Sequence, residues 1–75
     1  MIMDIRIEDD STIVLTRKEY EVLKRIAEGM SSEQIAAEME LSYPTVKWYR
    51  KRIKAKFQAK TMAQIVKMAM EQGLL

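Results

Sequence analysis

Three helix-start patterns of one kind constrain the fold of this chain most. Each is a capping box, in which a Ser or Thr oxygen accepts an early backbone N–H and a Glu or Gln three residues later reaches back. The boxes are formed by Thr16 with Glu19, Ser31 with Gln34 and Thr61 with Gln64. Ser42 with Pro44 marks a further helix start. The sequence therefore predicts four helices, of which the first ends at Gly29, the third near Phe57 and the fourth near Gly73.

Apolar residues recur at helical spacing after each start, and they predict one core face per helix. These positions are Val22, Leu23, Ile26, Ala27, Met30, Ile35, Ala36, Met39, Val46, Tyr49, Ile53, Phe57, Met62, Ile65, Val66 and Ala69. Residues 1–15 differ, because Asp4-Ile5-Arg6-Ile7-Glu8 alternates polar and apolar and Thr12-Ile13-Val14-Leu15 is β-branched and apolar. We predict an all-α, four-helix domain over residues 16–75, preceded by a β-like extension that forms a hairpin or a tail.

Composition excludes several function classes. The 75 residues make one small domain and contain no Cys, no His and two Gly. Thiolate chemistry, the commonest metal ligands and a Gly-rich phosphate loop are therefore missing. No apolar run approaches the roughly 20 residues of a membrane helix, and the N-terminus does not resemble a signal peptide. With its carboxylates at caps or on exposed faces, the chain is predicted to be a cytoplasmic binding module without a cofactor or metal, and not an enzyme.

Charge is distributed unevenly along the chain. Residues 1–15 carry four acids and one Arg, a net charge of −3. Since the whole chain carries a net charge of +2, the remaining residues carry +5. Residues 41–70 contain no acid and eight cations: Lys47, Arg50, Lys51, Arg52, Lys54, Lys56, Lys60 and Lys67. An acid-free block of this density on one element favours a surface for phosphates over a merely solvated face.

The sequence of the third helix indicates which of its faces carry these cations. At 100° per residue, Val46, Tyr49, Ile53 and Phe57 form a core stripe, and Lys47, Trp48, Lys51 and Ala55 lie opposite. The two edges carry Arg50 with Lys54 and Arg52 with Lys56. Such a helix fits a DNA major groove, with its front on base edges and its edges on phosphates. Together with the preceding short helix and tight turn it forms a helix-turn-helix.

The residues that mark these elements resemble the LuxR/GerE-type DNA-binding domain of bacterial transcriptional regulators. The likeness covers about residues 15–75 and rests on Leu15-Thr16-Arg17-Lys18-Glu19, Ala27-Glu28-Gly29, Ser42-Tyr43-Pro44-Thr45-Val46-Lys47 and the closing Gly73-Leu74-Leu75. The resemblance implies a four-helix domain that places its third helix in the major groove. It also implies a dimer, built mainly through the fourth helix, on a pseudo-palindromic DNA site.

The resemblance also implies roles for individual residues. Family positions that contact bases fall on Lys47, Trp48 and Lys51, and the helical wheel selects the same three. Positions that hold the DNA backbone fall on Ser31, Thr45, Arg50 and Lys54. The sequence departs from the family at Tyr49, usually His, at Phe57-Gln58, usually Leu-Gly, and at Thr61-Met62, usually Arg or Asn-Arg.

Trp48 and two methionines allow two interpretations each. Trp48 either lies against thymine methyls or sugars in the groove, or covers neighbouring side chains or a protein contact. Met68 and Met70 lie at the edges of the apolar stripe of the fourth helix, where they predict a dimer interface, although small cores also use methionine as filler.

Several functional hypotheses remain open at this point. The leading one is a sequence-specific transcriptional regulator that binds double-stranded DNA as a homodimer, either stand-alone, with a separate sensor protein, or as a fragment of a longer regulator. The alternative is a protein-interaction adaptor or anti-activator on the same fold that does not read DNA. A sigma-factor helix-turn-helix fits the opening and closing motifs less well. Membrane binding is disfavoured because Trp48 lies on the cationic side.

Overall fold

The structure, a computed structural model, describes residues 13–75 and contains four helices in that range. They are α1 (Arg17–Ala27), α2 (Ser32–Met39), α3 (Tyr43–Phe57) and α4 (Met62–Glu71). The prediction of four helices is therefore confirmed. The predicted extension falls mostly on residues 1–12, which lie outside the described residues. Residues 13–16 have no regular secondary structure, and no strand occurs between residues 13 and 75.

Two of the three predicted capping boxes form completely. The Thr16 hydroxyl accepts from the Glu19 amide at 3.1 Å, and the Thr16 amide donates to Glu19 Oε1 at 2.8 Å. Ser31 and Gln34 form the same pair of bonds at 3.1 and 2.8 Å. The prediction of the third box was wrong for one of its two hydrogen bonds. Thr61 Oγ1 accepts from the Gln64 amide at 3.2 Å, but Gln64 Oε1 accepts from the Lys60 amide at 3.1 Å and not from Thr61.

The helices end in two different ways. After α1 and α4, Gly29 and Gly73 adopt φ of 91° and 74°, conformations that are easy for glycine. After α2 and α3, non-glycine residues take the left-handed conformation, with φ of 57° at Glu40 and 52° at Gln58. At each of these two residues the left-handed conformation is about 1–2 kcal/mol less favourable than it would be for glycine.

A single apolar core joins the helices, and α3 lies at its centre. α3 packs against α1, α2 and α4. The buried apolar residues are Val22, Leu23, Ile35, Ala36, Val46, Ile53, Phe57, Ile65 and Ala69, all of them predicted. Partly buried members of the predicted set are Ile26, Met30, Met39, Tyr49, Met62 and Val66. The prediction was wrong for Ala27, which is exposed at the end of α1.

The pair α2–α3 is a helix-turn-helix. Glu40 in its left-handed conformation reverses the chain, and the Leu41 amide bonds to Ala36 O at 2.9 Å. Ser42 then caps α3 by accepting from the Thr45 amide at 3.2 Å, with Pro44 in the first turn as predicted. Arg25 of α1 forms an ion pair with Glu21 of the same helix at 2.6 Å and a second one with Glu38 of α2. The Arg25–Glu38 pair joins α1 to α2.

No helix within residues 13–75 is both long enough and apolar enough to cross a membrane. The same residues contain no cluster of acidic side chains arranged to hold a metal ion.

Candidate nucleic-acid interface

A groove of about 910 Å³ runs along the solvent side of α3. Its lining residues are Ser32, Tyr43, Pro44, Lys47, Trp48, Arg50, Lys51, Lys54 and Met62. Five of the seven residues predicted to contact DNA therefore meet on one surface, although they were selected from two different sides of the helical wheel, the front and one edge. We call these nine lining residues the α3 groove.

The α3 groove is positively charged. Lys47, Lys51 and Lys54 are exposed and Arg50 is half-buried. Within residues 13–75, none of these four cations forms an ion pair with a carboxylate. The Lys47 Nζ lies 5.5 Å from the centre of the Tyr43 ring, whose face is attractive to a cation. The charge of this surface is thus available for an anionic ligand.

Ser31 and Thr45, the other two predicted backbone contacts, lie beside the α3 groove at helix starts. Ser31 is the exposed N-cap of α2, and its immediate neighbour Ser32 lines the groove. Thr45 is partly buried in the first turn of α3, where its hydroxyl lies 2.8 Å from that of Ser42. The Ser31 hydroxyl caps α2 and the Thr45 hydroxyl bonds to that of Ser42. Each retains an oxygen lone pair or a rotatable proton, so each can also meet a phosphate.

The two remaining cations of α3 contradict the sequence-based interpretation. Arg52 and Lys56 were predicted to flank the helix as phosphate contacts. Instead, Glu19 is fully buried and binds both cations. Arg52 Nε donates to Glu19 Oε2 at 3.0 Å, and Lys56 Nζ donates to Glu19 Oε1 at 2.6 Å. Lys56 also donates to the carbonyl of Val14 at 3.0 Å.

Glu19 remains ionised in this environment. Burial disfavours the charged carboxylate and would raise its pKa, but hydrogen bonds from Lys56, the Thr16 amide and Arg52 outweigh the burial. Together they lower the pKa of Glu19 to about 2. The carboxylate is therefore a buried, fully partnered anion that joins the start of α1 to the second half of α3.

A signal for this cluster was present in the sequence. Glu19 precedes Val22 and Leu23 by three and four residues, so it shares their apolar face of α1. Arg52 and Lys56 are four residues apart and therefore share one side of α3. These spacings do not determine which helix face packs against which, and the capping box alone accounts for a Glu at position 19.

Trp48 is held by two neighbours and still exposes half of its surface. The Arg52 guanidinium lies 4.8 Å from the centre of the indole, and the Tyr49 ring meets it edge-on at 5.0 Å and 75°. The indole is 52% exposed and lines the α3 groove. Tyr49 itself is partly buried against the core, as predicted for the position where the family usually has His.

The two methionines of α4 occupy different environments. Met68 is partly buried and packs against the core. Met70 is 63% exposed and forms an apolar strip with Val66, partly buried, and Ala63, exposed, since the three lie at neighbouring angles of the helix. The outer face of α4 therefore offers an apolar contact centred on Met70.

A helix-turn-helix with a basic groove along its second helix defines a DNA-binding domain. The family model described as bacterial regulatory proteins, luxR family, matches residues 13–69. The chain belongs to this family of bacterial transcriptional regulators. The family assignment confirms the resemblance found in the sequence and the prediction of a DNA-binding regulator instead of an enzyme.

Individual relatives agree with this assignment. The chain is 36% identical over 69 residues to the virulence factors putative positive transcription regulator BvgA of Bordetella pertussis, covering 89% of this chain and 33% of BvgA. It is 33% identical over 61 residues to the transcriptional regulatory protein FixJ of Bradyrhizobium diazoefficiens, covering 81% of this chain and 30% of FixJ. The chain thus spans about a third of the length of these relatives.

A solved structure shows the same fold. The VqmA–ligand–DNA complex from Vibrio cholerae superposes with a TM-score of 0.79 at 32% identity, covering 87% of this chain and 29% of VqmA.

Proposed function

We propose that the chain binds double-stranded DNA sequence-specifically as a homodimer and thereby regulates transcription in the cytoplasm. The observation that carries the proposal is the α3 groove, which gathers Lys47, Trp48, Arg50, Lys51 and Lys54 on the exposed side of one helix. A helix of this kind fits the major groove, where each base pair presents a distinct pattern of donors and acceptors.

The roles divide by position on α3. Lys47, Trp48 and Lys51 face outward and are proposed to contact base edges. Lysine can donate to the O6 and N7 acceptors of guanine, and the indole supplies an apolar surface. Arg50 and Lys54 lie along one border of the helix and are proposed to hold the DNA backbone.

Two residues outside the central groove complete the proposed backbone contacts. Ser31 caps α2 and Thr45 lies in the first turn of α3, so both place a hydroxyl at a helix N-terminus. Helix N-termini attract phosphates through their free amides and the helix dipole. Contacts at two helix starts would fix the angle at which α3 enters the groove.

The dimer is proposed to form through α4. Met70 and the adjoining strip expose apolar surface that the monomer does not use, whereas Met68, at the other edge of the apolar stripe, is partly buried against the core. A two-fold dimer brings the same patch together from both chains, and its symmetry is matched by a pseudo-palindromic DNA site.

Selection of bound sequences from a random double-stranded DNA pool at near-physiological salt tests the proposal. We expect a two-fold-related motif whose half-sites are about 10 base pairs apart. A Lys47→Ala/Lys51→Ala variant serves as the control, because both side chains are exposed; we expect it to fold normally and to recover no motif. Binding that shows no sequence preference and vanishes with modest salt would contradict the proposal.

One specific observation favours a second candidate. Trp48 and Met70 both expose more than half of their surface, and exposed aromatic and methionine side chains are common in protein interfaces. An adaptor that pairs with another regulator through these residues would recover no DNA motif in the selection. It would instead lose its partner on substitution of Trp48 or Met70, while the Lys47→Ala/Lys51→Ala variant would keep it.

A further inference from the structure

We propose that Arg52 is a positioning residue for base recognition: anchored by Glu19, it holds the indole of Trp48 in one orientation and so sets base preference at one position of the DNA site. This inference rests on the proposed DNA-binding function. It assigns a task to a cation of α3 that belongs neither to the base contacts nor to the backbone contacts proposed above.

The geometry connects three residues in a row. The Arg52 Nε donates to the buried carboxylate of Glu19 at 3.0 Å, and the same guanidinium lies 4.8 Å from the centre of the Trp48 indole. An arginine side chain that is free in solvent samples many rotamers. Here the bond to Glu19 restricts those rotamers, because Glu19 is fully buried and is held at the start of α1 by the Thr16 amide.

The indole is thereby restricted on more than one side. Arg52 lies over the ring, and the half-buried Tyr49 meets it edge-on at 5.0 Å. The exposed remainder, 52% of the residue, faces the α3 groove beside Lys47 and Lys51. A recognition side chain discriminates well only when its own orientation is fixed by supporting contacts. The Arg52–Glu19 pair is such a support, and its buried anchor, Glu19, belongs to α1 and not to α3.

Apolar surface in the major groove suits the 5-methyl group of thymine. We therefore expect thymine at the base position that Trp48 contacts. If Arg52 acts through Trp48, its removal should weaken the preference for this one base. If Arg52 instead touched a phosphate, its removal would weaken binding to all sequences alike and lower the salt dependence.

The test is a double-mutant cycle on the DNA site selected by the unmodified chain, measured with all single-base variants of that site. The position whose preference is lost in Trp48→Ala is identified first. At that position we expect Arg52→Gln to reduce the preference by at least about fivefold and to leave other positions unchanged. In the Trp48→Ala background, Arg52→Gln should cause no further change in preference.

Two further variants separate positioning from a general loss of structure. Lys56→Gln removes the other cation that binds Glu19. Lys56 does not contact Trp48, so this variant should keep the preference at this position. Arg52→Lys keeps a positive charge beside Glu19 without the planar guanidinium, and should lose part of the preference. Circular dichroism of each variant shows whether the fold is retained. We expect the Arg52 variants to retain it, because the Arg52 side chain is 45% exposed.

Trp48 is the only tryptophan of the chain, so its fluorescence gives a second measurement without DNA. Arg52→Gln should change its emission, and Lys56→Gln should not. A selected motif whose preferences are unchanged in Arg52→Gln would overturn the positioning role and leave the DNA-binding function standing. Failure of the unmodified chain to select any motif would overturn both.

Discussion

The Nζ of Lys56 lies 2.6 Å from Oε1 of Glu19, which is the one buried charged side chain within residues 13–75. The bond joins residues 37 positions apart in the chain and links the first turn of α1 to the last turns of α3. Because α3 also carries the proposed DNA contacts, this bond couples the stability of the domain to the placement of its recognition helix.

Replacing Glu19 by Gln should destabilise the fold by about 2–3 kcal/mol. Breaking a fully buried ion pair costs about 3–5 kcal/mol. The cost here is smaller because Arg52 and Lys56 are 45% and 29% exposed and remain hydrated in the variant. Urea unfolding measures the loss, with the exposed Glu28→Gln as a control expected within about 0.5 kcal/mol of the unmodified chain. Equal stability of Glu19→Gln would show that the pair contributes nothing.

Acid should remove the same stabilisation over a defined pH range. The pKa of Glu19 is about 2 in the folded chain and about 4.3 when unfolded, so the folded state binds the proton less readily. The stabilisation is therefore complete above about pH 5 and is lost as the pH falls towards 2, by up to about 3 kcal/mol.

The measurement is urea unfolding of the unmodified chain and of Glu19→Gln at several pH values. The difference between them should shrink as the pH falls from 5 to 2. A hydrogen bond from Arg25 also lowers the pKa of Glu21, but Glu21 is present in both proteins and cancels in the comparison. A difference that stays constant down to pH 2 would contradict the prediction.

Features that depend on neighbours in sequence were predictable here, and features that depend on docking were not. The caps at Thr16, Ser31 and Ser42 form between residues three apart, so local patterns were sufficient to find them. Arg52 and Glu19 are 33 residues apart, and their contact follows from the packing of α1 on α3. The base-contact assignments were reached from the wheel because exposure on a helix is a local property. Whether they contact bases remains a prediction.

Gln58, the residue after α3, differs from the family pattern in residue type and has a left-handed backbone conformation. Gln58 stands where the family usually has glycine, and its φ of 52° keeps the conformation that glycine adopts easily. Gln58→Gly should therefore stabilise the chain by about 1 kcal/mol or less, since relief of strain is partly offset by the flexibility of glycine when unfolded. Thermal unfolding tests this, and a lower melting temperature would contradict it.

The base and backbone contacts should differ in their effect on DNA binding. Lys47→Ala and Lys51→Ala should each weaken binding to the selected site by about 1–3 kcal/mol and relax preference at one position. Lys54→Ala should weaken all sequences alike and reduce the slope of log K against log salt by about 1. Titrations of specific and unrelated DNA at several salt concentrations separate the two classes. Lys47 would not be a base contact if its replacement left sequence preference unchanged.

Dimerisation should depend on Met70 more than on any other exposed residue of α4. Met70→Gln keeps the length, neutrality and helix propensity of the side chain, and Met70 is 63% exposed, so the monomer should stay within about 0.5 kcal/mol of its normal stability. The apolar contact between two chains would be lost, and binding to a two-half-site DNA would fall towards the affinity for a single half-site. Glu71→Gln, also exposed on α4 but outside the apolar strip, is the matched control and should bind both DNAs normally. Sedimentation equilibrium with and without DNA, together with half-site and full-site titrations, measures the effect. If Met70→Gln retained the full-site advantage, the dimer contact would have to lie elsewhere than on this face of α4.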